Sequence, residues 1–380
     1  MFISRLRVHG FKRLQHMEVG LSDLTVLVGP NSSGKTALLE AVRVLSRSAD
    51  RALAQAVADL GGMVAVMSRG GDGLGPHFAL RVPVTSSRVA LYELTLRTVQ
   101  STHEVETEEL WSGLAGVEHA DLAFGFGLLH GVRVVDPELR GWDPRLGLER
   151  QETLLSDRPP GGSWVDELRA ALASIAFYGP VDAGPDAPIR LPQQVRPARL
   201  PRPSGEYLAS TLQYKRSRDR WMFDRLEGVL RTAYPGFEGL DFEPVAAGSI
   251  MLTWSERGKV YYANELSEGT LRFLLLASLL LTTELPALVL IDEPEVSLHP
   301  ELLCLLSDLL QDASSRTQLL VATQSPELIS WLKPEQIVVL DLDDEGWCQA
   351  TPGDQLNLED WLKDYTLGQL WTKGVIGGRS

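Results

Sequence analysis

Cysteine is nearly absent from the 380-residue chain, and its two copies, Cys304 and Cys348, have no metal-ligand spacing. That excludes a disulfide framework and makes a reducing, cytoplasmic compartment the expected one. Long apolar runs are missing too. The longest, Phe273 to Thr283, stops at Arg272 and Glu284, short of the ~20 residues a membrane span needs, so it reads as a buried helix and no membrane association is expected. The opening residues Met-Phe-Ile-Ser-Arg-Leu-Arg-Val lack the apolar stretch of a secretory leader. No sustained heptad pattern appears, which excludes long coiled-coil arms. Basic charge is scarce: 36 Lys and Arg against 50 Asp and Glu leave a net −14. A surface coated for non-specific nucleic-acid binding is excluded, and any such contact must use a local patch.

Hydrophobic residues at 44% and charged ones at 23% fit a globular chain able to bury its own core. Ile3, Leu6 and Val8 open a strand. Leu24 to Val28 is a continuous apolar run of the kind buried on both faces, and Leu38, Leu39, Val42 and Leu45 then recur at helical spacing. Residues 76–110 read as a β meander. Between Gly113 and Gly162 no element can be placed. Ser174 to Tyr178 reads as a core strand, and seven prolines from Pro180 to Pro203 mark an extended connector. Met222, Leu226, Val229, Leu230 and Ala233 share a helical face, and Ile250–Trp254 with Val260–Tyr262 form a hairpin around Arg257-Gly258. The chain then alternates helix 268–283, strand 287–291, helix 300–312 and strand 318–322. The division that follows is 1–112, 113–240 as an insertion, and 241–380.

Gly29-Pro30-Asn31-Ser32-Ser33-Gly34-Lys35-Thr36 fits G-x-x-x-x-G-K-[ST] between an apolar strand and an amphipathic helix, the context the motif requires. A triphosphate is wrapped by backbone N–H groups that only a glycine-containing turn lets approach, and the helix N-terminus adds partial positive charge. Lys35 would neutralise the β- and γ-phosphates and Thr36 would ligate Mg²⁺. Leu288 to Ile291 reads as a buried strand delivering Asp292, a second Mg²⁺ group, and Glu293, placed to polarise the attacking water. More than half the chain separates Lys35 from Asp292, and no Asn-Lys-x-Asp guanine-reading segment occurs, which points to ATP.

Leu266-Ser267-Glu268-Gly269-Thr270, at the head of the apolar helix, resembles the ABC-type signature Leu-Ser-Gly-Gly-Gln, in the variant of stand-alone RecF-like and OLD-like ATPases. Ser267 also reads as an ordinary helix cap. The resemblance extends to Glu293-Pro-Glu-Val-Ser-Leu-His-Pro300, to Gln324 in Ala322-Thr-Gln-Ser-Pro326 at the switch position, to Gly10-Phe11-Lys12-Arg13, and to Leu367–Trp371 with Gly377-Gly378 near the end. It implies an α/β fold: an ABC-type, RecF/SMC-like P-loop ATPase head with an antiparallel β subdomain and a mainly helical insertion. It also implies catalytic roles for Lys35, Glu293 and Gln324, nucleotide contacts from Ser267, Glu268 and Gly269, and a homodimer sharing two sites. Gln324 replaces the histidine of many ABC ATPases, and no Q-loop glutamine is identifiable. His299 reads as an interface or helix-start residue. Asp341, Asp343 and Asp344 offer acids for the Toprim nuclease of OLD proteins, but a strand entering a turn is the better reading, and no nuclease is expected in this chain.

From Arg196 to Arg225 eight basic residues (Arg196, Arg199, Arg202, Lys215, Arg216, Arg218, Arg220 and Arg225) face three acidic ones, with Tyr207, Tyr214, Trp221 and Phe223 among them. Such a stripe can track a phosphate backbone, form a solvated helix face, or dock an acidic protein. Three functions stay open: an ATPase that dimerises on ATP and regulates a separately encoded effector or a DNA transaction, in phage defence or genome maintenance; a scaffold that uses ATP only to assemble; and a transporter motor subunit.

Overall fold

The computed structural model describes residues 3–83, 88–100, 102–114, 121–127, 131–134, 150–157 and 164–376. A six-stranded sheet forms its centre, in the order Cys348–Pro352, Ile337–Leu342, Leu24–Val28, Gln318–Thr323, Leu288–Asp292, Ala176–Tyr178. All neighbours are parallel except the first pair. Leu24–Val28, Gln318–Thr323 and Leu288–Asp292 are buried along their whole length, which is why they read as unbroken apolar runs. Alternation still assigns their faces. Leu27, Leu290 and Leu320 join one core, while Val26, Ile291 and Val321 join the other.

The first core is closed by the helix Lys35–Ser48 and by a seven-stranded antiparallel sheet in the order Leu14–Gly20, Arg5–Phe11, His77–Pro83, Arg88–Val99, Thr102–Leu114, Asp121–Gly127, Gly131–Val134. The second lies under the helices Glu268–Leu280 and Pro300–Ser314, and continues into a small sheet of Gln193–Gln194, Phe237–Pro244, Ser249–Glu256 and Lys259–Tyr262 with the helix Arg220–Ala233. The expected meander, hairpin and alternating helices and strands of the second half are all present. The span 113–162 is not featureless: Thr102–Leu114 runs into it and two strands follow, hidden in the sequence by the glycines of Asp121–Gly127. The rest of that span, apart from residues 150–157, and Gly377-Gly378 lie outside the described residues. The insertion holds helices Trp164–Ala173, Leu208–Arg218 and Arg220–Ala233, but its Ala176–Tyr178 is an edge strand of the central sheet. Among the described residues no helix is long and apolar enough to cross a membrane.

One buried polar group ties the antiparallel sheet to the short helix Leu154–Asp157. Glu108 is fully buried and accepts hydrogen bonds from Tyr92 Oη at 2.9 Å, Leu155 N at 3.0 Å and Leu154 N at 2.5 Å. Burial outweighs these donors and pushes its carboxyl up to about 7. The folded chain therefore holds this proton more tightly than the unfolded one. Its contribution is complete below the ordinary carboxylate range and is lost as pH rises through about 7. Urea unfolding across pH 5–8 is expected to show Glu108→Gln flatter than the parent by up to about 3 kcal/mol. Parallel profiles would contradict the assignment.

Candidate nucleotide site

Three adjacent parallel strands end at the same edge. Thr323 pairs with Val28 and Asp292 with Ala322, so the residues that follow each strand, Gly29, Gln324 and Glu293, emerge side by side. Carboxyl ends of parallel strands are the usual place for a ligand in open α/β sheets.

The loop after Val28 is shaped by two close approaches. A Cβ on Gly29 would lie 2.4 Å from Ser33 Oγ and 2.5 Å from the Leu340 carbonyl oxygen. One on Gly34, whose φ is +110°, would lie 2.9 Å from Cys348 Sγ. Gly34 leads into the helix Lys35–Ser48, which has no side-chain cap and no acid in its first turn, so its N-terminal N–H groups and positive dipole end face the cleft unopposed. Lys35 is 5% exposed and donates from Nζ to the carbonyls of Gly29 at 2.7 Å and Pro30 at 2.9 Å. Burial lowers its pKa, against the pull of Glu293, Asp292 and Glu295.

Thr36 Oγ1 donates to Asp292 Oδ2 at 2.9 Å. The other carboxylate oxygen, Asp292 Oδ1, is buried with no hydrogen-bond partner, and burial pushes this carboxyl up to about 6. A hydroxyl beside a desolvated carboxylate with one oxygen unsatisfied is the donor set that suits a hard divalent cation, so the residues fit Mg²⁺. Glu293 adopts φ +47°, donates its N–H to Ala322 O at 2.8 Å, and accepts from Gln324 Nε2 at 3.3 Å. A left-handed non-glycine residue costs of order 1–3 kcal/mol and survives where its surroundings hold it.

The cleft measures 350 Å³ and is lined by Lys12, Arg13, Asn31, Ser32, Gly34, Lys35, Thr36, Ala37, Glu40 and Glu293. Lys12 and Arg13 also line an adjoining 620 Å³ groove with Met67, Arg69 and Trp347. Ser33 sits beneath the loop, its hydroxyl buried. Ser267, Glu268 and Gly269 do not line the cleft. Ser267 caps the helix Glu268–Leu280 by accepting from Thr270 N at 3.1 Å, and His299 Nδ1 accepts weakly from Glu301 N at 3.4 Å at the head of the next helix.

Some residues here carried no assigned role in the sequence. Lys12 and Arg13 form a two-residue hairpin turn, Lys12 at φ +51° and in contact with Glu40. Glu295 Oε1 accepts from Thr323 Oγ1 at 2.7 Å and Gln324 N at 2.9 Å, fixing the switch loop. The tight turn between apolar strands signals the first pair, and the place of Glu295 in the run Glu293-Pro-Glu-Val-Ser-Leu-His-Pro300 signals the second.

Two family models match the chain. One, described as an AAA ATPase domain, covers residues 1–68; the other, described as an AAA domain, putative AbiEii toxin, Type IV TA system, covers residues 144–330. Between them they contain the P-loop, the acidic strand and the segment around Ser267. Both models are of AAA ATPase type, and each covers less than half of the chain. The fold of the chain is similar to an Smc head solved bound to the C-winged helix domain of ScpA, at TM-score 0.55 and 14% identity over 93% of this chain and 99% of that one. It is also similar to the Smc head domain with an extended coiled coil bound to the C-terminal domain of ScpA derived from Pyrococcus furiosus, at TM-score 0.51 and 13% identity over 96% and 100%. No curated protein matches the sequence.

The basic stripe that the sequence displays is largely neutralised. Arg199 pairs with Glu284, Arg202 with Glu206, Lys215 with Asp219, Arg216 with Asp241, Arg220 with Asp224 and Arg225 with Asp312. Arg196 stacks over Tyr207, and Phe223 is buried while Trp221 is 61% exposed.

The close approach at Gly34 can be tested directly. Gly34→Ala is expected to lose about 2 kcal/mol of stability in urea unfolding, through both its φ and the Cys348 contact. Adding Cys348→Ala should recover only the contact part. An alanine variant as stable as the parent would show that the turn is not built this way.

Proposed function

We propose that this chain hydrolyses ATP with Mg²⁺ in a homodimer whose two sites are shared, and that the cycle regulates a separately encoded effector, in phage defence or genome maintenance. The observation that supports hydrolysis best is the meeting of Lys35, Thr36, Asp292, Glu293 and Gln324 at one sheet edge, with Asp292 Oδ1 buried and unsatisfied.

In this reading Thr36 and Asp292 hold Mg²⁺, which supplies charge neutralisation at the β- and γ-phosphates. Lys35 and the N–H groups of residues 32–36 bind the phosphate oxygens. The groove running from Lys12 and Arg13 to Trp347 takes the nucleoside, the indole offering a stacking face. Glu293 accepts a hydrogen bond from the attacking water, and Gln324, bonded to Glu293, keeps that carboxylate aimed. The water oxygen bonds to the γ-phosphorus as the bridging oxygen leaves with ADP, and the water's proton passes to the Glu293 carboxylate.

Dimerisation is supported by the position of Ser267. Its turn is exposed and absent from the cleft lining, so its amides and hydroxyl suit the nucleotide of a second copy. Of the candidate partners at the groove of Arg196, Tyr214, Arg216 and Arg220, a protein is favoured over nucleic acid: the paired arginines leave little free charge for phosphates, while Val195 and Trp221 are exposed beside them.

Lys35→Ala is expected to abolish phosphate release, and Glu293→Gln to keep ATP binding while slowing turnover at least about a hundredfold. Wild-type turnover by Lys35→Ala would remove the site assignment. For the shared sites, Lys35→Ala and Ser267→Arg should each be inactive alone and recover activity on mixing, because one composite site is whole. Light scattering of Glu293→Gln with ATP supplies the control. A monomer there, with no rescue on mixing, would defeat the dimer.

A further inference from the structure

The loop that begins with Glu293 does not stand by itself. It folds into two successive turns, Val296 N to Glu293 O at 3.2 Å and Leu298 N to Glu295 O at 3.0 Å, and carries a second left-handed residue, Ser297 at φ +63°. Two non-glycine residues in that region within five positions need external support. Part of it comes from the central sheet, through Ala322 O and Gln324. The rest comes from the first turns of the helix Glu268–Leu280.

Arg272 is the centre of that contact. Its side chain is 11% exposed; Nη2 reaches Glu268 Oε1 at 2.6 Å, and Nη1 donates to Val296 O at 3.1 Å. Ser297 Oγ donates to the same Glu268 oxygen at 3.1 Å, which closes a ring between helix and loop. The backbones also touch. A Cβ on Gly269 would lie 2.3 Å from the Ser297 carbonyl oxygen, so only glycine lets the helix start this close. One guanidinium thus holds a carboxylate of the exposed turn that begins at Ser267 and a carbonyl of the loop that begins at Glu293. A planar donor fork with several N–H groups can bridge the two, where a lysine ammonium on its flexible stem cannot hold both in fixed geometry.

We propose that Arg272 is a positioning residue joining the surface at Ser267 to the carboxylate at Glu293 within one subunit. The inference rests on the reading of Ser267 as a contact for the nucleotide of a second copy of the chain. A triphosphate arriving at Ser267 and Gly269 brings negative charge beside Glu268 and competes for Arg272 and for the N–H groups of that turn. The displacement passes through Val296 and Ser297 to Glu293, and through Glu295 to Gln324 N, which Glu295 holds at 2.9 Å. Each site in the dimer thereby senses whether the other is filled.

The test is hydrogen exchange on the full chain, read by mass spectrometry with and without ATP and Mg²⁺. In the parent, segments 29–36 and 293–298 should both slow on adding ATP. In Arg272→Ala segment 29–36 should still slow while 293–298 does not, with kcat lowered about tenfold or more and KM changed less than about twofold. Arg272→Lys should show the same defect in milder form. If Arg272→Ala fails to fold, Ser297→Ala, which cuts the ring at its exposed side, should show a smaller loss of the same response. The two readings fail separately. A parent whose 29–36 segment ignores ATP loses the nucleotide site itself. If 29–36 responds but 293–298 stays silent in the parent, or responds equally in Arg272→Ala, Arg272 is not the relay.

Discussion

The parallel register of three strands is the constraint on which the rest depends. Leu24–Val28, Gln318–Thr323 and Leu288–Asp292 come from opposite ends of the chain, and their pairing sets Val28, Thr323 and Asp292 at one edge. Slipping any of them by one residue would exchange its two faces and move the following loop. The loops themselves are short and irregular. They are held because what lies beneath them is continuous apolar surface, buried on both sides and covered by helices from two separate cores.

That rigid base permits local strain above it. Gly34, Glu293 and Ser297 all take left-handed conformations in the site or beside it, and each is held by a contact from elsewhere: Cys348 under Gly34, Ala322 behind Glu293, Gly269 and Arg272 against Ser297. Strained residues supported by distant segments respond when those segments move. The site is therefore coupled by construction to the antiparallel sheet through Lys12 and Arg13, to the C-terminal hairpin through Cys348, and to the helix Glu268–Leu280. Of the three, the antiparallel sheet reaches the cleft lining itself, through Lys12 and Arg13.

Electrostatics points the same way. The domain is strongly acidic overall, yet the cleft collects Lys12, Arg13 and Lys35, with the uncapped end of a helix behind them. Glu40, paired with Lys12, and Glu293 share that lining, so the cleft is mixed in sign; a compact ligand suits it better than a long polyanion, which would feel the whole acidic surface. The ion pairing along Arg199 to Arg225 extends this logic: Arg199, Arg216 and Arg225 meet distant acids, and Arg202, Lys215 and Arg220 meet acids four residues along the chain.

What the sequence determined by itself was local: the P-loop between strand and helix, the acidic strand end at Asp292 and Glu293, the Ser267 cap and the buried character of the strands. Each follows from residues within one turn or strand, where periodicity, glycine and capping chemistry act over a few positions. What only the tertiary structure decided depends on neighbours far apart in the chain. The strands within 113–134 were missed although Leu122, Phe124 and Phe126 alternate, because glycines between and after them read as turn signals. The basic stripe read as excess charge because three of its partners, Asp241, Glu284 and Asp312, lie outside it. The roles of Lys12, Glu295 and Arg272 were illegible because each is defined by what it touches, and Glu40, Gln324 and Val296 become its neighbours only when the sheet closes. A motif states which chemistry a segment can offer; the packing of the strands beneath it decides which segments meet.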